Sequence, residues 1–393
     1  MPYIVTPEGL LFFRDARPLD ADKASEHYRA IGHGANWPRP DHFYNAVMHG
    51  LINEGIQNEN CPVKINGHFP FGGLKTIGPF PLLKNEQGKY KIYFPRPLDV
   101  DMNLVALDKN TTNMPKPLTY GFIDRKEGKK SYKAWISADT YNNYLIDGSA
   151  RDDSNNELVA DIGKENTLFS TEFVTGTTID PKTGASKRFK EKNITGQYQG
   201  EYLRLNDNVS FWCDIELGDK TNTPINIPSK VVMGGQGGVV SIAKTDVIGL
   251  TKVFKTPVVP NDAKENIFVR WTLLTHAYFS QTGWLPGFCM DTTKDDTNNK
   301  KKDLGVVMLE GCNGAKLVGA CVGKAIYFSG WDTKEKQKPT VMCVPAGSSY
   351  VFECDNAQTA NSLVEKLHLK RQSDFGSQGF GIGVCSIVIP EKK

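Results

Sequence analysis

The stretch Phe375-Gly376-Ser377-Gln378-Gly379-Phe380-Gly381-Ile382-Gly383 decides how this chain is read, because of what stands on either side of it. Before it, Tyr350 to Cys354 reads as a strand, and Ala360, Leu363, Val364 and Leu367 fall at i, i+3, i+4 and i+7 on one helix face. After it, Val384 to Ile389 reads as a buried strand. A dinucleotide fingerprint or a P-loop needs strand, glycines and helix in that order, since the phosphate sits on the helix N-terminus. Here the order is helix, glycines, strand, which makes a β-α-(glycine loop)-β unit. Glycines let a backbone approach a ligand closely, and Lys366, Lys370 and Arg371 supply charge beside them. A ligand contact through Gly376, Gly379, Phe380, Gly381 and Gly383 is one reading of the loop, and a mobile surface loop is the other.

Working outward, antiparallel strands precede this unit: Ile267 to Phe279, and Lys316 to Val322. A β-α-β unit closing such a domain fits a ferredoxin-like (RRM-like) sandwich, and two of them would account for 393 residues at 39% hydrophobic content. The expected fold class is therefore α+β. The expected boundary lies in the linker-like run Thr221 to Pro228, giving an N-terminal domain over 1–228 and a C-terminal domain over 229–393. In the first domain, Tyr3 to Val5 continuing through Leu10 to Phe13 predicts a strand, and Arg14-Asp15-Ala16-Arg17-Pro18 a loop. Pro40 and Asp41 open a helix whose apolar face is Phe43, Tyr44, Val47, Met48, Leu51 and Ile52, with Gly55 as its stop. Polarity rises over 100–170, which predicts a large insertion with a short helix near Asp139 to Leu145. Residues 198 to 217 alternate as strands, and a basic hairpin is expected over 176–204.

A net charge of +3 neither requires nor excludes nucleic acid, so an RNA or DNA site must be a local patch. The eight cysteines form no C-x-x-C pair and no Cys/His ligand spacing, which argues against a zinc knuckle. The N-terminus lacks a signal-peptide pattern, and no run approaches about 18 apolar residues. A soluble, cytoplasmic protein without membrane contact is the expectation.

Several segments, taken in order, resemble the RAMP superfamily and within it the family of third subunits of the type III-B CRISPR effector, the Cmr complex. They are Leu11-Phe12-Phe13-Arg14-Asp15-Ala16-Arg17-Pro18, Tyr93-Phe94-Pro95-Arg96-Pro97-Leu98-Asp99, Gly196-Gln197-Tyr198-Gln199-Gly200-Glu201-Tyr202-Leu203-Arg204, Gly283-Trp284-Leu285-Pro286, Ser329-Gly330-Trp331-Asp332, Val344-Pro345-Ala346-Gly347-Ser348 and Gly379-Phe380-Gly381. The resemblance implies two ferredoxin-like domains and a pocket for the 5′ handle of the guide RNA (crRNA). It also implies two neighbours, the large signalling subunit and the first backbone subunit, bridged in an antiviral ribonucleoprotein. It implies no catalytic role and no cofactor. Three positions depart from the family pattern: Val174 where an arginine is common, Gly234-Gly235-Gln236-Gly237-Gly238 where a glutamate and a basic residue are usual, and His276 in place of a proline.

With an RNA ligand implied, the cations can be sorted. Thr183 to Lys192 is a basic run in β-prone sequence, so Lys187, Arg188 and Lys190 could cover phosphates while Phe189 or Tyr198 stacks on a base. An ordinary solvated hairpin is the alternative, but the resemblance places an extension here that separates handle from guide. Arg14 and Arg17 flank a proline turn at a strand end, where loops carry binding residues; a salt bridge to Asp15 or Asp20 is the competing role. Arg125-Lys126-Glu127-Gly128-Lys129-Lys130 reads as a solvated loop. Four of the seven histidines, His27, His33, His42 and His49, crowd one region and raise the alternative of a guide-RNA-processing endoribonuclease. His42 and His49 flank an apolar helix face with no carboxylate partner evident, so solvated or capping roles are expected, with no catalytic and no metal-binding residue.

Overall fold

In the computed structural model, the structure describes residues 1–14, 30–32, 34–54, 73–108, 118–125, 134–149, 168–177, 179–186, 188–189, 194–195, 197–218, 226–260, 266–289, 305–329 and 339–391. In chain order the elements are β1 (Pro2–Pro7), β2 (Ala30–Gly32), α1 (Pro40–Asn53), β3 (Gly73–Lys84), β4 (Tyr90–Pro95), β5 (Met102–Ala106), β6 (Tyr120–Asp124) and β7 (Trp135–Ser137). Next come α2 (Ala138–Asp147), β8 (Phe169–Thr177), β9 (Arg188–Phe189), β10 (Ile194–Thr195), β11 (Gln197–Leu205), β12 (Val209–Gly218), β13 (Lys230–Val232) and β14 (Val239–Lys244). The last are α3 (Leu250–Val253), β15 (Ile267–Leu273), β16 (Ala315–Cys321), β17 (Ile326–Phe328), β18 (Val341–Cys343), β19 (Ser349–Cys354), α4 (Ala357–Leu367) and β20 (Gly383–Val388).

Two sheets organise the chain. The first runs β13-β14-β1-β12-β3-β4-β7 and the second β16-β19-β15-β20. Counted within each sheet, β14-β1-β12-β3 and β20-β15-β19-β16 both follow the order 4-1-3-2, with antiparallel neighbours throughout. Among the described residues each half carries one crossover α-helix between these core strands, α1 after the first strand of one sheet and α4 after the third strand of the other. The sequence explains both helices. Pro40 sits at the start of α1, where its missing N–H is no loss, and the helix buries Phe43, Tyr44, Val47 and Leu51. Asn356 caps α4 by accepting from the Thr359 amide at 2.9 Å, and Ala360, Leu363, Val364 and Leu367 are buried against the sheet. Burying each of the two leucines and the valine is worth roughly 1.5–3 kcal/mol.

The expected boundary at 228 moves. β13 and β14, beyond that point, belong to the first sheet: Ile4 pairs with Ala243 and Val5 with Ile242, so the first half extends past Lys244. The residues expected as an insertion are not an appendage either. β7 pairs with β4, α2 buries Tyr141 and Tyr144, and the β5–β6 hairpin lies on the second sheet, where Tyr120 meets Phe268 edge-on. The strand expected through Leu10 to Phe13 ends at Pro7. Leu11, Phe12 and Arg14 make single bridges to Leu203, Gly235 and Gly34 instead. Seven cysteines are described, all free, and burial raises the thiol pKa of Cys213, Cys289 and Cys385.

The two halves share one buried polar network. On β15, residues alternate between the α4 side and the side facing α2. Arg270 faces α2 with 5% of its side chain exposed, and its guanidinium reaches the Asp99 Oδ2 at 3.3 Å, the Tyr144 carbonyl at 2.9 Å and the Ser386 hydroxyl at 3.0 Å. The Tyr144 hydroxyl donates to Asp99 Oδ1 at 2.6 Å, and Arg270 also lies over the Tyr144 ring. Removing one partner of such a pair strands the other charge without water. Asp99→Ala is expected to lower unfolding free energy by about 3–5 kcal/mol, read from the urea midpoint, whereas exchanging the exposed pair Lys230–Glu8 is expected to change it by less than about 1 kcal/mol.

Candidate nucleic-acid interface

The terminal glycine loop is buried. It runs from a 3-10 turn at Gly376–Gln378 into β20 and packs against β3 and α1 of the first half. Its amides are used within the chain: Gly376 N donates to Ser373 O at 2.9 Å, Gly379 N to Gly376 O at 3.0 Å, Gly381 N to His276 O at 2.8 Å and Ile382 N to Thr275 Oγ1 at 3.0 Å. Gly379 (φ 92°) and Gly381 (φ 67°) occupy left-handed backbone. A Cβ at Gly379 would stand 2.9 Å from the Thr76 carbonyl, and one at Gly381 would run into Ser373. Gly383 pairs with Leu273 and leaves room for the Trp271 ring. The close approach these glycines permit is thus to the protein's own backbone, and neither the open ligand loop nor the mobile surface loop describes it.

Phe380 is fully buried and stacks on Phe328, Phe375 stacks on Tyr278, and the Arg39 guanidinium lies 4.4 Å from the centre of the Phe328 ring while paired with Asp41 at 3.1 Å. This cation–aromatic joint was not found from sequence. Arg39 beside Asp41 at a helix start was its only local trace.

His42 and His276 complete the joint. The Arg39 amide donates to His42 Nδ1 at 3.1 Å, the His42 ring stacks on Phe13, and burial, reinforced by the Arg39 charge, lowers its pKa to about 3. The capping role expected for His42 is the one observed; His49 is exposed. His276 accepts from the Ala346 amide at 2.9 Å, and burial followed by the Arg39 charge lowers its pKa to about 4. His27 and His33 lie outside the described residues. Among the described residues no group of three His, Cys, Asp or Glu is placed to hold a metal, and no helix is long and apolar enough to cross a membrane.

The exposed candidates gather elsewhere. β8 and β11 form a long antiparallel ribbon continued by β2, and most of β8 is exposed on both faces, Phe173 at 58% and Val174 at 36%. Past Thr177, Ile179 pairs with Ser186, and the basic run enters a hairpin in which Arg188 pairs with Thr195 and Phe189 with Ile194. Arg17, Lys187 and Lys190 lie outside the described residues, and Arg188, Phe189 and Tyr198 are placed by backbone alone. Arg14 is exposed and bridges Gly34, whose amide donates to Glu201 Oε2 at 3.1 Å. Next to it Phe12 meets Tyr202 at 5.2 Å between ring centres. Phe12 O accepts from Gly235 N at 2.8 Å, so the cluster 234–238 seats the Leu11–Arg14 segment, with exposed Gln236 at φ 59° in the turn. The segments Leu11–Arg14 and Gln197–Arg204 thus meet on one side of the first half, while Pro95–Asp99, Val344–Ser348 and the terminal glycines meet at the joint.

A model of the CRISPR-associated protein (Cas_Cmr3) family matches residues 3–385. The chain belongs to that family. Solved structures similar to this Cas_Cmr3 member include a chain of the Type III-B Cmr-beta bound to cognate target RNA and AMPPnP, 14% identical with a TM-score of 0.45 over 93% of this chain and 89% of that one. A chain of the Type III-B Cmr-beta bound to cognate target RNA is 15% identical, TM-score 0.45, over 97% and 95%. One from the Csm3-Csm4 subcomplex in the type III-A CRISPR-Cas interference complex is 11% identical, TM-score 0.36, over 91% and 93%. No curated protein matches the sequence.

Two outcomes are expected in this Cas_Cmr3 chain. Gly237 also has positive φ, 71°, but open space around it, so Gly237→Ala should cost about 1 kcal/mol, the strain alone, while Gly381→Ala should cost clearly more in the same urea titration. The depressed pKa values of His42 and His276 mean that the unfolded chain takes up protons first. Stability is therefore full above about pH 6.5 and falls toward pH 5, by up to about 1.4 kcal/mol per pH unit for each histidine, and His42→Asn should remove roughly one proton's share of that slope.

Proposed function

We propose that this chain is a non-catalytic, RNA-binding subunit of a type III-B CRISPR effector that holds the 5′ handle of the guide RNA and bridges the large subunit to the first backbone subunit. Each half is read as a ferredoxin-like core, on the 4-1-3-2 strand order that both sheets share. Family membership over residues 3–385 supports the assembly; the observation that carries the RNA role is the β8–β11 ribbon. Most of β8 is exposed on both faces while β11 also pairs with β2 and buries Leu203, and past Thr177 the sequence runs on to Lys187-Arg188-Phe189-Lys190, with Arg14 and the Phe12–Tyr202 pair beside β11. Cations for phosphates and rings for bases are the combination that single-stranded RNA requires. The RNA path in this reading follows the ribbon and Arg14, while the terminal glycines pack the second half against β3 and α1.

The endoribonuclease alternative needs a histidine able to exchange protons with a substrate. His42 is stacked on Phe13, accepts a backbone amide and stays neutral, which favours the non-catalytic reading. Incubation of the purified protein with labelled repeat RNA discriminates them: shifted, uncut RNA is expected, and metal-independent cleavage would reverse the assignment. Lys187→Gln, Arg188→Gln and Lys190→Gln together should flatten the dependence of log K on log salt by about 2, at roughly 0.7 per lost phosphate contact. Tyr198→Ala should instead cost about 1–3 kcal/mol with the salt slope nearly unchanged.

A further inference from the structure

The strand β8 stands at the edge of its sheet. The order there is β2-β11-β8, and among the described residues the only strand paired with β8 is β11, in unbroken register from Phe169 opposite Leu205 to Thr177 opposite Gln197. Nine residues is long for a free edge, and the usual guards are missing: Phe169 to Thr177 holds no proline and no lysine, and no bulge turns it away. Its one charge, Glu172, is held by Arg204, whose Nη2 donates to Oε2 at 3.2 Å. Phe173 is 58% exposed, and Thr171, Val174 and Thr175 are exposed beside it.

What such an edge accepts follows from its backbone. Every second residue turns an N–H and a C=O outward, so donors and acceptors alternate along it. Another extended peptide satisfies both sets, whereas a run of phosphates would set anionic oxygens against the carbonyls. The side chains narrow the choice, because the segment read in the opposite direction matches itself. Antiparallel pairing about a two-fold axis at Phe173 sets Phe173 on Phe173 of the copy, Thr171 on Thr175 at both ends, and Glu172 on Val174. Aromatic pairs and threonine pairs are among the cross-strand contacts that stabilise a sheet. No like charges stand directly opposite, and the two Glu172 carboxylates lie on a diagonal, each with its own Arg204. An axis at Glu172 would set carboxylate on carboxylate, and one at Val174 would replace the aromatic pair by Phe173 on Thr175.

We propose that a second copy of this chain docks here, β8 pairing antiparallel with β8 of the copy about an axis at Phe173, so that two three-stranded sheets join into one. The contact is isologous and uses up both free edges, so assembly stops at the dimer. One strand pair is a small interface, and the expected dissociation constant is on the order of 10–100 μM.

The test is sedimentation equilibrium of the full chain without RNA, over roughly 1–200 μM. The mass is expected to rise with concentration from that of the 43.6 kDa monomer toward twice that value. Phe173→Lys and Phe173→Glu each set like charges together on the axis, and each should weaken association roughly tenfold or more. Mixed in equal amounts, the two variants should pair roughly tenfold more tightly than either does with itself, because lysine now faces glutamate. Should either variant lose its thermal transition, a chain with Thr171→Lys and Thr175→Lys, mixed with one carrying Thr171→Glu and Thr175→Glu, reads the same register from the flanking pairs. A monomer at every concentration would overturn the proposal and leave the edge to a strand of another protein. A dimer indifferent to these substitutions, or a mixture no tighter than its components, would overturn it by placing the contact elsewhere.

Discussion

A guanidinium without water around it must find a carboxylate, and Arg270 finds its own in the other half of the chain. Asp99 lies at the end of the Pro95–Asp99 segment that leaves the first sheet, while Arg270 is in the middle strand of the second. In its own half alone, each group would be buried without its counter-charge. Tyr144 of α2 closes the network by donating to Asp99 and offering its carbonyl to Arg270. The two sheets are therefore joined by a charge pair as well as by a buried apolar cluster, in which Phe94, Tyr141 and Phe254 pack around it with Leu274 and Val384.

The second joint works by shape. Gly379 and Gly381 bring backbone against Thr76 and Ser373, and the neighbouring aromatic stack carries Arg39 on top of Phe328. Two half-buried histidines with lowered pKa border it, and each accepts a backbone amide from a different segment. Segments that the sequence presents as far apart, the start of α1, the turn after β15, Val344–Ser348 and the terminal loop, are here one polar-aromatic seam.

Much of this was legible. Helices α1 and α4 are legible because their apolar residues recur at helical spacing, and Pro40 marks the start of α1. The 350–389 unit was read with its strand, helix, loop and strand in order. The boundary was not, since Thr221 to Pro228 has linker composition, while the β13–β14 hairpin beyond it returns to the first sheet through long-range pairing that no local pattern announces. Which partner the glycine loop approaches is hidden in the sequence for a related reason. A glycine that lets backbone approach RNA and one that lets it approach Thr76 O are the same letter, and only the fold says which partner is present. Arg270 likewise reads as an odd cation in an apolar strand until Asp99 is seen beneath it.

The strand β1 has β12 on one side and β14 on the other, partners more than 200 residues further along the chain, Ile4 facing Trp212 and Ala243. During synthesis β1 is made long before either partner, and it must wait with both edges open and Val5 uncovered until β12 and β14 exist. Closing so long a loop costs entropy before any pairing offsets it, which makes this a slowly folding chain for its size. A nascent molecule held in that state presents bare strand edges to its surroundings, so the yield of this subunit in a cell depends on how crowded it is with copies of itself while β12 is still being made.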